Sequence, residues 1–220
     1  MGKRGPKPKG KVKSKWSPDF AYAIGLLVTD GCLSKNGRVV DLTSKDKEQI
    51  VNFLSGLRVE GTIGKKNSMV GNTAYRVQIG DILFYNFLLS IGLTPAKSKS
   101  IGAIKIPQRY FFDFLRGSFD GDGCAYSYWD KRWRSSFMFY TTFVSASEAH
   151  ISWLQREIGK RLKVSGHITG DGQKTVFQLR YAKSDSLRLL RKMYPTEKVL
   201  CLSRKRLKIE KMLSIVGEQL

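Results

Sequence analysis

Two nine-residue stretches carry the side chains best suited to chemistry. The first reads Ala23-Ile24-Gly25-Leu26-Leu27-Val28-Thr29-Asp30-Gly31, and the second Leu115-Arg116-Gly117-Ser118-Phe119-Asp120-Gly121-Asp122-Gly123. In each, a small residue is followed four positions later by another: Gly25 and Thr29, then Gly117 and Gly121. At that spacing both lie on one helix face, where small side chains let two backbones approach closely. The next residue in each copy is an aspartate at the helix C-terminus, Asp30 and Asp122. A carboxylate there opposes the helix macrodipole, and two of them side by side repel. Divalent cations would offset that cost. Hard ions such as Mg²⁺ suit carboxylates and keep waters or phosphate oxygens in their shell. An Asp-Gly turn is the bland alternative at either site alone, but it recurs at matched positions.

Charge points to the partner. The 220 residues hold 39 Lys and Arg against 18 Asp and Glu, a net +21. Hydrophobic residues make up 41%, enough to bury a core. Such an excess of positive charge strains a compact state unless a polyanion is near, so nucleic acid is the expected partner. Carboxylates, a divalent ion and a basic chain together imply phosphodiester hydrolysis. Other classes drop out. The mostly apolar run from Ala21 to Thr29 is far short of the ~18 residues of a membrane span, and no secretory pattern opens the chain. Cys32, Cys124 and Cys201 make neither a disulfide framework nor a CxxC pair. An intracellular setting is expected.

The elements that position the two aspartates repeat. Ser17-Pro18-Asp19 is a helix start, and the first helix runs to about Gly31. A second such helix follows Pro107 and stops between Gly121 and Gly123. Strand-like text then covers 38–44, 59–65 and 73–79, with helices over 47–57 and 82–91. The matching second set is 126–145, 163–169 and 175–181, with helices over 148–162 and 184–193. The final strands match by pattern, Tyr75-Arg76-Val77-Gln78-Ile79 beside Phe177-Gln178-Leu179-Arg180-Tyr181. The chain therefore divides into a flexible basic arm over 1–16, a first half over 17–95, a linker over 96–107 and a second half over 108–220. Seven basic residues and no acid lie in 1–16. A second basic stretch covers 188–211.

The paired motifs and matching halves resemble the LAGLIDADG homing endonucleases, in their monomeric two-motif form, over about residues 17–212. The resemblance implies an α+β fold of two pseudo-symmetric αββαββα halves packed through their motif helices, with a β-sheet saddle over DNA. It implies a hairpin around Lys131-Arg132 and a shorter one at 34–37. It assigns metal binding to Asp30 and Asp122 together with the carbonyls of Thr29 and Gly121. The ion implied is Mg²⁺, with Mn²⁺ or Ca²⁺ able to substitute for binding. The third-last motif position departs from the family, being Val28 in one copy and Asp120 in the other. Basic groups beside the metal vary in the family. Lys45 stands where a catalytic lysine is often found, while Lys97 aligns with Lys198, and Arg204 or Lys205 is within reach of the site.

Strand parity separates faces. Tyr75, Val77 and Ile79 belong under the first sheet, leaving Arg76 and Gln78 outward. The same logic turns Gln178 and Arg180 outward. It also puts Arg132 and Arg134 on one face and Trp133, Phe137 and Phe139 on the other. Arg and Gln make bidentate contacts to guanine and adenine in the major groove. Arg38, Lys65, Lys66, Asn67, Asn72, Lys131, Gln173 and Lys174 fall at turns or strand ends and suit phosphate contact. Tyr126, Tyr128, Trp129 and Trp133 read as core rather than as a platform for single-stranded RNA.

The leading expectation is a site-specific double-strand DNA endonuclease. By the resemblance it leaves short 3′ overhangs, acts as a monomer and is intron-encoded. The alternatives are an intron maturase that binds host intron RNA and a non-cleaving DNA-binding regulator on the same fold.

Overall fold

The computed structural model describes residues 10–67, 73–133, 135–173 and 175–220, with the side chain of Asn67 also outside the described set. Asn72, Arg134 and Lys174, with residues 1–9 of the basic arm, therefore lie outside the described residues. The fold is α+β, with two antiparallel four-stranded sheets and seven α-helices among the described residues.

The first half runs α1 (Pro18–Thr29), β1 (Gly31–Leu33), β2 (Val39–Ser44), α2 (Lys47–Leu57), β3 (Gly64–Asn67), β4 (Thr73–Gly80) and α3 (Ile82–Ile91). The second runs α4 (Phe111–Asp122), β5 (Cys124–Trp129), β6 (Phe137–Ser145), α5 (Glu148–Leu162), β7 (His167–Gly170), β8 (Phe177–Tyr181), α6 (Lys183–Met193) and α7 (Ser203–Ser214). Short 3-10 turns at Lys97–Lys99 and Gln108–Tyr110 lie between them. The sheets have matching orders, β1-β2-β4-β3 and β5-β6-β8-β7. Both expected hairpins are present, one between β1 and β2 and one between β5 and β6.

The helices α1 and α4 build the centre. Every residue from Phe20 to Val28 is buried, because α1 is covered all round, as a helix with no polar stripe must be. Small residues set its approach to α4. A Cβ added at Gly117 would strike the carbonyl oxygen of Tyr22, and one at Gly25 would strike that of Phe114. A Cβ at Gly121 would collide with the Thr29 side chain. The contacts Tyr22–Gly117, Gly25–Ser118 and Thr29–Gly121 rise in step along both helices. The helices are therefore parallel, with their C-termini together.

Buried polar groups tie the halves. The Asp120 carboxylate is fully buried and accepts from Tyr22 Oη at 2.8 Å, Leu202 N at 2.6 Å and Tyr194 Oη at 3.4 Å. Buried Arg116 donates to the carbonyls of Met193 and Leu200 and to Asp113. The segment before and into α7 crosses back to the first half. Arg204 pairs with Asp46 at 2.7 Å, and Asn52 donates to the carbonyl of Cys201. Asp120 thus has a structural role in the second motif that Val28 cannot share.

Four expectations change. Residues 10–16 are not a free arm: Asp81 accepts from the amides of Lys11 and Val12, and Val12 is buried. The strand expected over 59–65 begins only at Gly64, and that over 163–169 only at His167. Arg58 and Lys163, at the ends of α2 and α5, adopt left-handed backbone angles (φ of 55° and 52°) that redirect the chain. Trp133 is exposed in the β5–β6 loop rather than buried with Phe137 and Phe139, and Tyr128 and Trp129 are exposed as well. The 126–145 run is two strands and a loop, so its parity restarts. No helix among the described residues is long and apolar enough to cross a membrane.

Because Gly25 and Gly117 meet backbone rather than flexible side-chain ends, Gly117→Ala should destabilise the fold by at least about 3 kcal/mol. Gly172→Ala, at a position with open space around it, is the matched control. Urea denaturation of both variants checks this, and equal midpoints would refute the tight crossing.

Candidate active site at the paired helix ends

Parallel packing brings two negative helix ends to one place, and each ends in a carboxylate. Asp30 caps α1, its amide bonded to the carbonyl of Leu26 at 2.9 Å. Asp122 is the last residue of α4. The Asp30 carboxyl is pushed up from 3.8 to about 6, chiefly by burial and then by the charge of Asp122. Burial also raises the Asp122 carboxyl, although that residue opens to solvent at the mouth of the site. Gln49 is buried and donates its Nε2 to Asp30 Oδ2 at 2.5 Å, while its Oε1 accepts from Ser44 Oγ at 3.0 Å. One face of Asp30 is thereby fixed.

Two lysines answer the concentrated negative charge. Lys97 is buried and donates to the carbonyl of Gly31 at 2.5 Å. Lys205, from α7, donates to the carbonyls of Phe119 at 2.6 Å, Gly121 at 3.0 Å and Gly123 at 2.6 Å. Burial lowers both ammonium pKa values, that of Lys205 to about 8, and both charges draw the two carboxyls back down. Gly31 and Gly123 follow the two aspartates, so each lysine holds the matching carbonyl of one half. Lys198, aligned with Lys97 by spacing, is exposed. The chain runs 12 residues past the end of α6 before Lys205 fills the role, against six past α3 for Lys97. Lys45 stands exposed between β2 and α2.

Gln49 was not singled out by sequence. Its signal was the shared position, third in α2, that His150 holds in α5. His150 is buried and its Nδ1 lies 2.8 Å from the carbonyl of Gly102, which fixes Nδ1 as the protonated nitrogen. Burial holds its pKa down. It lines a small cavity with Asp122, Thr29, Ser118 and Ser145. The two halves therefore differ beside their carboxylates, an amide in one and a neutral imidazole in the other.

The donor set fits hard divalent ions. It offers two carboxylates whose ionisation is disfavoured until a cation joins them, with the carbonyls of Thr29 and Gly121 one residue upstream. Among the described residues no cluster of three or more His, Cys, Asp or Glu forms. Two carboxylates and two carbonyls supply fewer oxygens than the six or more a hard divalent ion takes, the rest coming from water or phosphate oxygens. The Gly121 carbonyl is already engaged by Lys205.

On the outer faces of the sheets, Arg76 lies against Asp41 as an ion pair, and exposed Gln78 pairs across the strand with Asp41. In the second half, Gln178 and Arg180 occupy the matching positions in reversed order. Lys65 and Lys66 are exposed on edge strand β3, Arg38 at the first hairpin, Arg132 at the second and Gln173 in the β7–β8 loop. Cys32 and Cys124 begin the outer faces, two residues past each aspartate.

No family model matches the chain, and no curated protein matches it by sequence. Solved structures do match by fold. The homing endonuclease I-WcaI bound to its DNA recognition sequence superposes with a TM-score of 0.62 at 13% identity, over 90% of this chain and 88% of that one. The I-LtrWI LAGLIDADG homing endonuclease bound to target DNA gives 0.58 at 12%, over 91% and 90%. Full-length DUF199/WhiA from Thermatoga maritima gives 0.55 at 12%, over 93% of this chain, which spans only 63% of that one. The chain has the LAGLIDADG fold, in two repeated halves.

Proposed function

We propose that the chain is a site-specific, metal-dependent endonuclease that cuts both strands of duplex DNA and leaves short 3′ overhangs. One observation carries the reading: Asp30 and Asp122, from matched helix ends, are held together at a cost and flanked by Lys97 and Lys205. A purely structural site would not place two carboxylates on two negative dipole ends. The sheets present Arg76, Gln78, Gln178 and Arg180 for base edges, with Arg38, Lys65, Lys66, Arg132 and Gln173 for phosphates. Both carboxylates come from one chain, so a monomer suffices.

Asp30, Asp122 and the carbonyls of Thr29 and Gly121 would hold Mg²⁺, with Mn²⁺ or Ca²⁺ able to replace it in binding. When bound, such an ion supplies water activation and charge stabilisation at the scissile phosphate. Gln49 fixes the orientation of Asp30. Lys97 and Lys205 oppose part of the rise in the two carboxyl pKa values and place positive charge where phosphate enters. Lys205 already occupies one of the two lone pairs of the Gly121 carbonyl and places a positive charge beside it. That charge where a metal would sit supports a second reading, a DNA-binding regulator that does not cleave.

With Mg²⁺ and a duplex chosen by binding selection, wild type should cut both strands. Asp30→Asn and Asp122→Asn should each keep binding and lose cleavage by on the order of a thousandfold. A wild type that binds and never cuts, with Mg²⁺ or Mn²⁺, leaves the regulator.

The Asp30 carboxyl gives a second test. Its pKa of about 6 in the fold exceeds the ordinary 3.8, so the folded chain holds a proton that the unfolded chain has released. This contribution to stability is greatest below pH 4 and declines as pH rises to about 6. Without divalent ions, Asp30→Asn should be more stable than wild type at pH 7, by about 1–2 kcal/mol after solvent screening. The gap should close toward pH 4. Urea denaturation at the two pH values measures it, and a gap that does not change with pH removes the proposed strain.

A further inference from the structure

The two outer sheet faces differ in chemistry. On the first, the described outward positions of the central strands include Asp41, Thr43, Arg76 and Gln78 beside the small apolar Val39 and Ala74, and no aromatic ring. On the second, Tyr126 pairs across the strand with Tyr140, and Tyr128 with Met138. Tyr126 and Tyr140 stack at 5.1 Å between centroids, with Tyr128 and Tyr140 at 6.2 Å. The Arg180 guanidinium lies over Tyr126 and Tyr140 at 5.5 and 5.9 Å, which puts the rings on the same outward face as Arg180. Tyr128 remains 47% exposed in this basic chain.

The stacked rings form a connected, partly exposed strip whose faces suit apolar contact. It begins four residues past Asp122 and continues to the hairpin that carries Trp129 and Trp133, 53% and 70% exposed. It is thus continuous with the face assigned to duplex DNA above, and the inference rests on that assignment. The apolar feature that duplex DNA presents in its major groove is the 5-methyl group of thymine. Arg180 also differs from Arg76. It is held by rings rather than by a carboxylate, with Nη2 donating to Gln178 Oε1 at 3.3 Å. A guanidinium has five N–H donors, so others remain for a guanine next to such a methyl.

We propose that the second sheet reads thymine methyl groups in one half of the target duplex through Tyr126, Tyr128, Met138 and Tyr140, beside Arg180. The first sheet reads its own half through the hydrogen-bonding groups of Asp41, Thr43, Arg76 and Gln78.

The test is selection of binding duplexes from a randomised pool by the full chain. The half whose base preference changes in a parallel selection with Arg180→Ala lies under the second sheet. That half should be rich in thymine. Replacing its thymines with deoxyuridine should weaken binding by about fourfold per methyl in contact, the scale of one buried carbon. The same replacement in the other half should change little. Tyr128→Ser, at an exposed position, should fold normally and lose part of the uracil sensitivity. Equal sensitivity of both halves, or none, with duplex binding intact overturns the inference and leaves the DNA assignment standing. A pool that yields no duplex overturns both. Tighter binding to single-stranded RNA than to the selected duplex would assign the rings to unpaired bases and also overturn it.

Discussion

The parallel crossing of α1 and α4 is the constraint from which the rest follows. Two helices can touch along their backbones only where side chains vanish, so Gly25, Gly117 and Gly121 fix the crossing point. Parallel direction then puts two negative dipole ends together. Everything around that point answers it: Lys97 and Lys205 on carbonyls, Gln49 on Asp30, and a carboxyl held near 6. An antiparallel pair would relieve the electrostatics and separate Asp30 from Asp122. The geometry keeps them together, and the proposed recruitment of cations would offset the cost.

The same crossing explains why the chain needs polar ties in its interior. Smooth apolar packing alone would let the halves slide. Asp120, with donors from Tyr22, Tyr194 and Leu202, fixes one relative position, and breaking it would strand three buried donors. Arg116 does likewise for the chain after α6. The return of α7 to Asp46 and Glu48 makes the C-terminal stretch part of the first half's surface. Lys205 reaches the carboxylates because of that return.

Much of this was legible in the residues. The motif helices, Asp30 and Asp122, the duplicated order and the outward parity of Arg76, Gln78, Gln178 and Arg180 all follow from spacing. Helices α2, α3 and α5 have the bounds that periodicity suggests. What was not legible depends on tertiary choice. Arg58 and Lys163 take a left-handed backbone where glycine would advertise a helix end, so β3 and β7 begin late. Lys205 could not be placed by repeat alignment, because the second half has a longer route from its last repeat helix to the site. The tyrosines on β5 alternate as core residues do. Parity counted from Asp122 would have turned them outward, but the aromatic pattern argued the other way.

The reversed order of Arg76–Gln78 and Gln178–Arg180 has a consequence for symmetry. A homodimer must present each of its faces twice, and so suits a palindrome. Here the dyad relates the backbones but not the side chains: arginine on one side stands where glutamine stands on the other. A sequence matched to both faces cannot read alike from its two strands. Joining the halves in one chain is what permits that mismatch, since each can change its letters without changing its twin's.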